Sequence, residues 1–546
     1  MNLFLRVAIA ASILNTYQVQ AQKLKKSDKL VISNLQKHVK YLSDDRLEGR
    51  RAGTAGEELA RTYISNEFQK IGLMPKGDKD GWFQPFPIND GKDYSGDSYL
   101  FIDEHEINKK DYFPYALSPE KIIEAMPSIA LREEGVPWFL DLGAERDANK
   151  DNPHFDAEAN ILLKAKDAAE KGATALLLYN DSSQVFNPKQ RGDQLPLPVI
   201  YVSENVSKKY FDDETATLEI KMKTGFRIKE RTGNNVIGFI NNNAPYTVIV
   251  GAHYDHLGYG EDGNSMLRTN ERLIHNGADD NASGTAALIE LARKLKMEKK
   301  SSANYLFIAF SAEELGLFGS KFFTENATIP LSQVSYMINM DMVGRLNDSS
   351  RTLTVGGIGT SPSWASTFSS ISDTRYFQIK FDSSGTGPSD HSSFYRKDLP
   401  VLFFFTGLHT DYHKPGDDAE RINYEGQYRI LQLVENVMKK TPVQNKLVFT
   451  KTREQQTVTS TRFSVSLGIM PDYSYSGNGV RVDGVSDGRP AIKGGIQAGD
   501  IILQLGEHRT SSVESYMQAL SKFKKGDSTS VRYKRGDNEL SADIRF

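Results

Sequence analysis

At 546 residues the chain is longer than one hydrophobic core sustains, so about three or four domains are expected. Its 67 Lys and Arg against 70 Asp and Glu leave a net charge of -3 with no basic block, which excludes nucleic acid as a partner. The absence of cysteine excludes a disulfide framework and a lipid-anchored N-terminal cysteine, so stability must come from ordinary cores.

In chain order, Met1 to Arg6 gives a short positive start, Val7 to Leu14 an apolar run, and Val19-Gln20-Ala21 a small-x-small site. This predicts an export signal over residues 1–21, cleaved before Gln22, and a periplasmic or secreted product. No later segment has the length of a membrane helix. Leu30, Leu35, Val39 and Leu42, then Ala60, Tyr63, Ile64, Phe68 and Ile71, recur at helical spacing on either side of a charged loop from Asp44 to Thr54. Short strand-like pieces such as Tyr99–Ile102 follow, up to about Lys110. From about 118 to 222 the texture changes: a strand at Trp138–Leu142, an Ala-rich helix at Ala157–Lys171, and strands at Ala173–Tyr179 and Val199–Val202. These predict a small inserted α/β module.

After it, continuous apolar strands alternate with helices, as in a sheet covered on both faces. Tyr246–Val250 leads to His253, a helix from Thr285 to Met297 follows Asp280, and Tyr305–Phe310 leads to Glu313 and Glu314. Tyr336–Met340 leads to Asp341, and Val401–Phe405 precedes the loop that carries His413. A last helix runs to about Lys440, a polar stretch with Pro442 forms a linker, and the remaining residues are rich in short strands, with one helix near Val513–Lys522.

Each polar residue thus follows the carboxyl end of a strand, where open α/β sheets place their sites. His253, Asp280, Glu314, Asp341 and His413 form a set of imidazole and carboxylate donors without thiolate, suited to zinc or a similar divalent ion. If Asp280 bridges, one ion takes His253, Asp280 and Asp341, the other Asp280, Glu314 and His413, and each keeps an open position for water. Two divalent ions against three carboxylates leave a local charge of about +1, which favours hydroxide over water near neutral pH. Glu313 adjoins a ligand yet neither ion needs it, so it is the candidate general base. Asp255 can accept the other ring N–H of His253 and fix its tautomer.

The stretches Gly251-Ala252-His253-Tyr254-Asp255, Gly277-Ala278-Asp279-Asp280-Asn281, Ala312-Glu313-Glu314-Leu315-Gly316, Asn339-Met340-Asp341-Met342, Ser389-Asp390-His391 and Tyr412-His413-Lys414-Pro415 resemble the motifs of the M28 family of co-catalytic zinc aminopeptidases. The resemblance implies two Zn2+ ions, with Mn2+ or Co2+ as substitutes, and the residue roles above. It also implies a cis peptide at Asp280-Asn281. The implied activity is removal of N-terminal residues from peptides, with metal-bound hydroxide as nucleophile and Glu313 as base. A carboxypeptidase-like or glutaminyl-cyclase-like member of the superfamily, or a non-catalytic peptide-binding protein, is the alternative.

The insert, with Lys171-Gly172-Ala173-Thr174-Ala175, is similar to a protease-associated (PA) domain. The C-terminal part, with Ser466-Leu467-Gly468-Ile469-Met470 and Gly494-Gly495-Ile496-Gln497-Ala498-Gly499-Asp500, is similar to a PDZ domain, whose groove would take a peptide end. The fold expected is α/β of zinc-peptidase type: a mixed, mostly parallel central sheet flanked by helices, an inserted small α/β PA domain and a β-rich PDZ domain. The expected division is signal peptide 1–21, peptidase domain 22–115 and 226–442, insert 116–225, linker 443–456 and PDZ domain 457–546. His256 and His275 flank the site, and His391 adjoins a Gly/Ser-rich loop at the substrate pocket. His409 is expected to be structural or solvated.

Overall fold

A computed structural model describes residues 24–546 apart from 151–156, 191–192, 268–270, 299–300, 442, 444, 453–464, 472–474, 476, 486–488, 512, 521 and 525. The expected export signal lies outside the described residues. A nine-stranded sheet forms the centre, and its middle is the parallel run Asn304–Phe310, Thr247–His253, Val334–Met340, Val401–Phe405. Antiparallel strands flank it: Arg227–Ile240 on one side, then Thr352–Gly356 paired in parallel with Gln378–Phe381 on the other.

Every residue of Thr247–His253 and of Val334–Met340 is buried, which explains why these strands are apolar without alternation. Burying Val248, Ile249 and Val250 stabilises the fold by about 1.5 to 3 kcal/mol each. The helix Gly284–Lys296 buries Ala286, Ala287, Leu288, Ile289, Leu291, Ala292 and Leu295, so it is covered on more than one side. Helices Lys26–Leu42, Ala55–Ile71 and Tyr424–Lys440 pack against it and close one face of the sheet.

A long antiparallel ribbon, Phe83–Asp93 against Arg227–Ile240, leaves the sheet and carries the insert. One sheet of the insert pairs Tyr99–Ile102 and Lys121–Ala125 with Ile220–Thr224; the other orders Tyr112–Pro114, Val199–Val202, Leu176–Tyr179 and Trp138–Asp141. The strands Tyr99–Ile102 and Tyr112–Pro114 belong to these sheets, so the expected boundary at residue 116 falls inside the insert. Their pairings with Ile220–Thr224 and Val199–Val202 span more than 80 residues, and local periodicity carries no record of such pairing.

A six-stranded sheet from Ile469–Pro471 to Asn538–Arg545, with the helix Val513–Leu520, forms a separate C-terminal core around Leu467, Val480, Ile502 and Val531. The stretch before it departs from the linker expectation. Val443 and Leu447 are buried in the peptidase core, Thr450 N–H donates to Thr360 O at 2.8 Å, and Thr452 N–H donates to Tyr395 Oη at 2.9 Å. Up to Thr452 this segment is a strap on the peptidase domain.

Candidate active site

The five candidate ligands converge at the carboxyl ends of the parallel strands. His253 is the last residue of its strand, Asp341 the first after its own, and Glu314 lies in the turn after Asn304–Phe310. Asp280 sits in a turn before the helix Gly284–Lys296, and the Asp280-Asn281 peptide is cis, as the resemblance implies. His413 adopts φ of 52° in the loop that follows Val401–Phe405.

His253 Nε2 lies 3.3 Å from both Asp280 Oδ1 and Asp341 Oδ1. His413 Nε2 lies 3.2 Å from Asp280 Oδ2 and 3.1 Å from Glu314 Oε2. The two oxygens of Asp280 therefore face different histidines. Donor atoms at the corners of a tetrahedron with arms of 2.0 to 2.2 Å stand about 3.4 Å apart, and these four imidazole–carboxylate separations match that spacing. Among the described residues the donor atoms that gather within reach of one ion are those of His253, Glu313 and Asp341, and those of His256, Asp280 and Glu314. Glu313 Oε2 stands farther off, 4.0 Å from His253 Nε2.

Buried charge on this scale needs compensation. Burial, reinforced by the charges of Asp341 and Glu314, pushes the Glu313 carboxyl well above the usual carboxylate range. Burial opposes a charge on His413, yet Glu314 and Asp280 beside it push its pKa up to about 11. Glu314, despite its burial, is held down to about 2 by His413 and His256. A site that pulls its imidazoles toward the cationic form is one that attracts cations.

Asp255 spans both halves of the site. Its backbone oxygen and its Oδ1 lie 3.3 and 3.6 Å from His253 Nδ1, while its carboxylate accepts the N–H groups of Glu313 at 3.1 Å and Glu314 at 3.4 Å. It therefore orients His253 and also the turn that carries Glu313. His256, which flanks the site in sequence, touches it in the structure: its Nδ1 is 2.7 Å from Glu314 Oε1. Its Nε2 is buried without a hydrogen-bond partner, and its donor atom clusters with those of Asp280 and Glu314. His391 is buried and stacks on Phe403 at 4.4 Å between ring centroids. Burial and the charge of Arg396 lower its pKa to about 3, so the ring is neutral.

Four supporting residues were not singled out for these roles. Arg50, from the charged N-terminal loop, is fully buried and donates to the carbonyls of Tyr254 at 2.7 Å, Asn276 at 2.7 Å, Gly277 at 3.0 Å, and Leu42. It ties the residue after His253 to the turn before Asp280. Asp417 Oδ2 accepts the N–H groups of Asp279 at 2.9 Å and Asp280 at 3.0 Å. Ser389 Oγ donates to Asp341 Oδ2 at 2.8 Å. Asn264 O accepts from His413 Nδ1 at 2.9 Å. Proximity to a ligand in sequence signals Asp417 alone among the four. His409, expected to be structural or solvated, is largely enclosed, with Nε2 3.4 Å from Asp279 Oδ2.

Imidazoles and carboxylates gathered at strand ends suit a divalent metal ion such as zinc. Residues 235–438 match the model of peptidase family M28 and residues 447–546 that of the PDZ domain. The chain carries a peptidase family M28 domain followed by a C-terminal PDZ domain. It is similar to "Aminopeptidase YwaD" of Bacillus subtilis (strain 168), 31% identical over 281 residues, covering 48% of this chain and 56% of that protein. It is also similar to "Leucine aminopeptidase 2" of Trichophyton rubrum, at 24% identity over 48% of this chain and 55% of that protein. The chain thus spans about half the length of these curated relatives. Among solved structures, a zinc aminopeptidase from Bacillus subtilis aligns at 22% identity over 76% of this chain and 98% of that one, with a TM-score of 0.43.

Proposed function

We propose that the chain is an exported di-zinc aminopeptidase that removes N-terminal residues from peptides. The observation that carries this reading is the placement of Asp280, with one carboxylate oxygen toward His253 and the other toward His413. His253, Asp280 and Asp341 would hold one ion, and Asp280, Glu314 and His413 the other. Zinc bound there would supply Lewis acidity toward a scissile carbonyl and bring the pKa of a water near neutrality. Glu313 accepts the proton of the attacking water and returns it to the leaving amine. Asp255 fixes His253 and the Glu313 turn, and Asn264 O fixes His413 with Nε2 toward the donors.

The insert reads as a PA domain and the C-terminal sheet as a module that takes a peptide end by adding a strand. Among the described residues no helix is long and apolar enough to cross a membrane. Export rests on the sequence of residues 1–21.

Treating the purified chain with a strong chelator is expected to remove two equivalents of zinc and abolish hydrolysis of amino-acid nitroanilides. Zinc, Mn2+ or Co2+ should restore it. Zinc at a hundredfold excess over its Kd should stabilise the fold by about 2.7 kcal/mol for each independent site, read as a rise in Tm. Hydrolysis that survives complete chelation, or one tightly bound equivalent with full activity, would sink the two-metal reading.

A further inference from the structure

The loop segment from Leu257 to Leu267 is held at two points by different parts of the chain. At one end is Asp262, whose side chain is only 7% exposed. Arg51 donates to it through Nε at 2.7 Å and Nη2 at 3.0 Å. Lys189 Nζ donates to Oδ1 at 2.7 Å, and Arg231 Nη2 lies 3.5 Å away. Asp90 completes the cluster, 3.0 Å from Arg231, 3.3 Å from Arg51 and 3.4 Å from Lys189. Burial opposes ionisation of Asp262, yet Arg51 and Lys189 hold its carboxyl well below the usual carboxylate range.

The three cations come from three places. Arg51 belongs to the N-terminal loop, Arg231 to the ribbon strand Arg227–Ile240, and Lys189 to the insert. The backbone beside Lys189 is itself fixed, because Lys92 N–H donates to Pro188 O at 2.9 Å. Two residues past Asp262, the loop grips the metal ligand. His413 Nδ1–H donates to Asn264 O at 2.9 Å, and Met266 N–H donates to His413 O at 2.9 Å. Asn264 Nδ2 also reaches Glu314 O at 3.4 Å. Turns from Leu257 O to Gly260 N–H and from Gly260 O to Gly263 N–H keep the path from Asp262 to Asn264 short and compact.

We infer that Asp262 is a positioning residue for the His413 metal site, and that the insert, through Lys189, helps hold it. The ion cluster fixes the loop, the loop fixes His413, and His413 Nε2 is thereby kept on Glu314 and Asp280. The His253 site has its own support in Asp255 and does not depend on this path. Displacement of the insert would therefore weaken one of the two ions selectively. This inference rests on the two-metal reading.

The test measures zinc release from the full-length protein to a chromophoric chelator, resolving each equivalent. Asp262→Asn should weaken one equivalent by about tenfold and leave the other unchanged, because partners that orient metal ligands are worth ten- to hundredfold in affinity. Lys189→Met, at a half-exposed ion pair, should weaken that same equivalent by about two- to fivefold. Lys189→Arg should restore it, and Lys208→Met, elsewhere on the insert, should change nothing. Wild-type affinity for both equivalents in Asp262→Asn and Lys189→Met would overturn the inference, as would equal weakening of both. A wild-type protein with fewer than two equivalents would instead overturn the two-metal reading beneath it.

Discussion

Asp280→Asn is expected to weaken both metal positions in one step. In most sites a lost ligand affects one ion, but here the two carboxylate oxygens stand 3.3 and 3.2 Å from the Nε2 atoms of His253 and His413. Asn presents one neutral carbonyl oxygen and an NH2 that cannot coordinate, so one three-ligand set keeps this ligand without its charge and the other loses it. The loss of affinity should exceed the ~100-fold that removing a partner of a ligand costs. Hydrolysis should fall below detection at micromolar zinc. Zinc analysis after gel filtration checks it, and circular dichroism in chelator separates it from unfolding. Two equivalents retained in Asp280→Asn would remove the bridging assignment.

The second large effect concerns Glu313. Glu313→Gln keeps the volume and removes the proton acceptor, so kcat should fall by about 10²- to 10⁴-fold while zinc content stays at the wild-type value. The pH profile gives a separate check. A general base works only when deprotonated, so activity rises as pH rises through its pKa. Burial, Asp341 and Glu314 push that pKa up, whereas cations nearby pull it back toward the working range. The acidic limb of kcat should therefore be present in the wild type and absent from the residual activity of Glu313→Gln. Loss of zinc from this variant would make Glu313 a ligand and not a base. Its oxygen is 4.0 Å from His253 Nε2, against 3.3 Å for Asp280 and Asp341.

The central sheet was legible because its strands are buried on both faces. Val248 to Val250 and Leu306 to Phe310 have no polar alternation, and a candidate metal ligand follows each run. The convergence of His253, Asp280, Glu314, Asp341 and His413 was legible for a related reason, since open α/β sheets gather polar residues at the carboxyl ends of such strands. Contacts that join distant segments were not legible. Arg50 reaches carbonyls more than 200 residues away, and nothing in the charged loop from Asp44 to Thr54 distinguishes it from Arg46 or Arg51.

The insert's first boundary was missed because strand pairing across it is long-range, and the strap from Val443 to Thr452 because its packing rests on a few apolar side chains in a polar stretch. His256 illustrates the limit from the other side. Its place beside the site suited a supporting contact, but only geometry separates a contact at 2.7 Å to Glu314 from loop polarity.

Product identity tests the proposed activity most directly. The zinc-loaded protein is incubated with a peptide bearing a free N-terminus, with its N-acetylated form, and with one beginning in glutamine, and the products are read by mass spectrometry. A di-zinc aminopeptidase releases the first residue from the free peptides and leaves the acetylated one intact. Release of the last residue, loss of ammonia from the glutamine peptide without hydrolysis, or recovery of all three unchanged would contradict it.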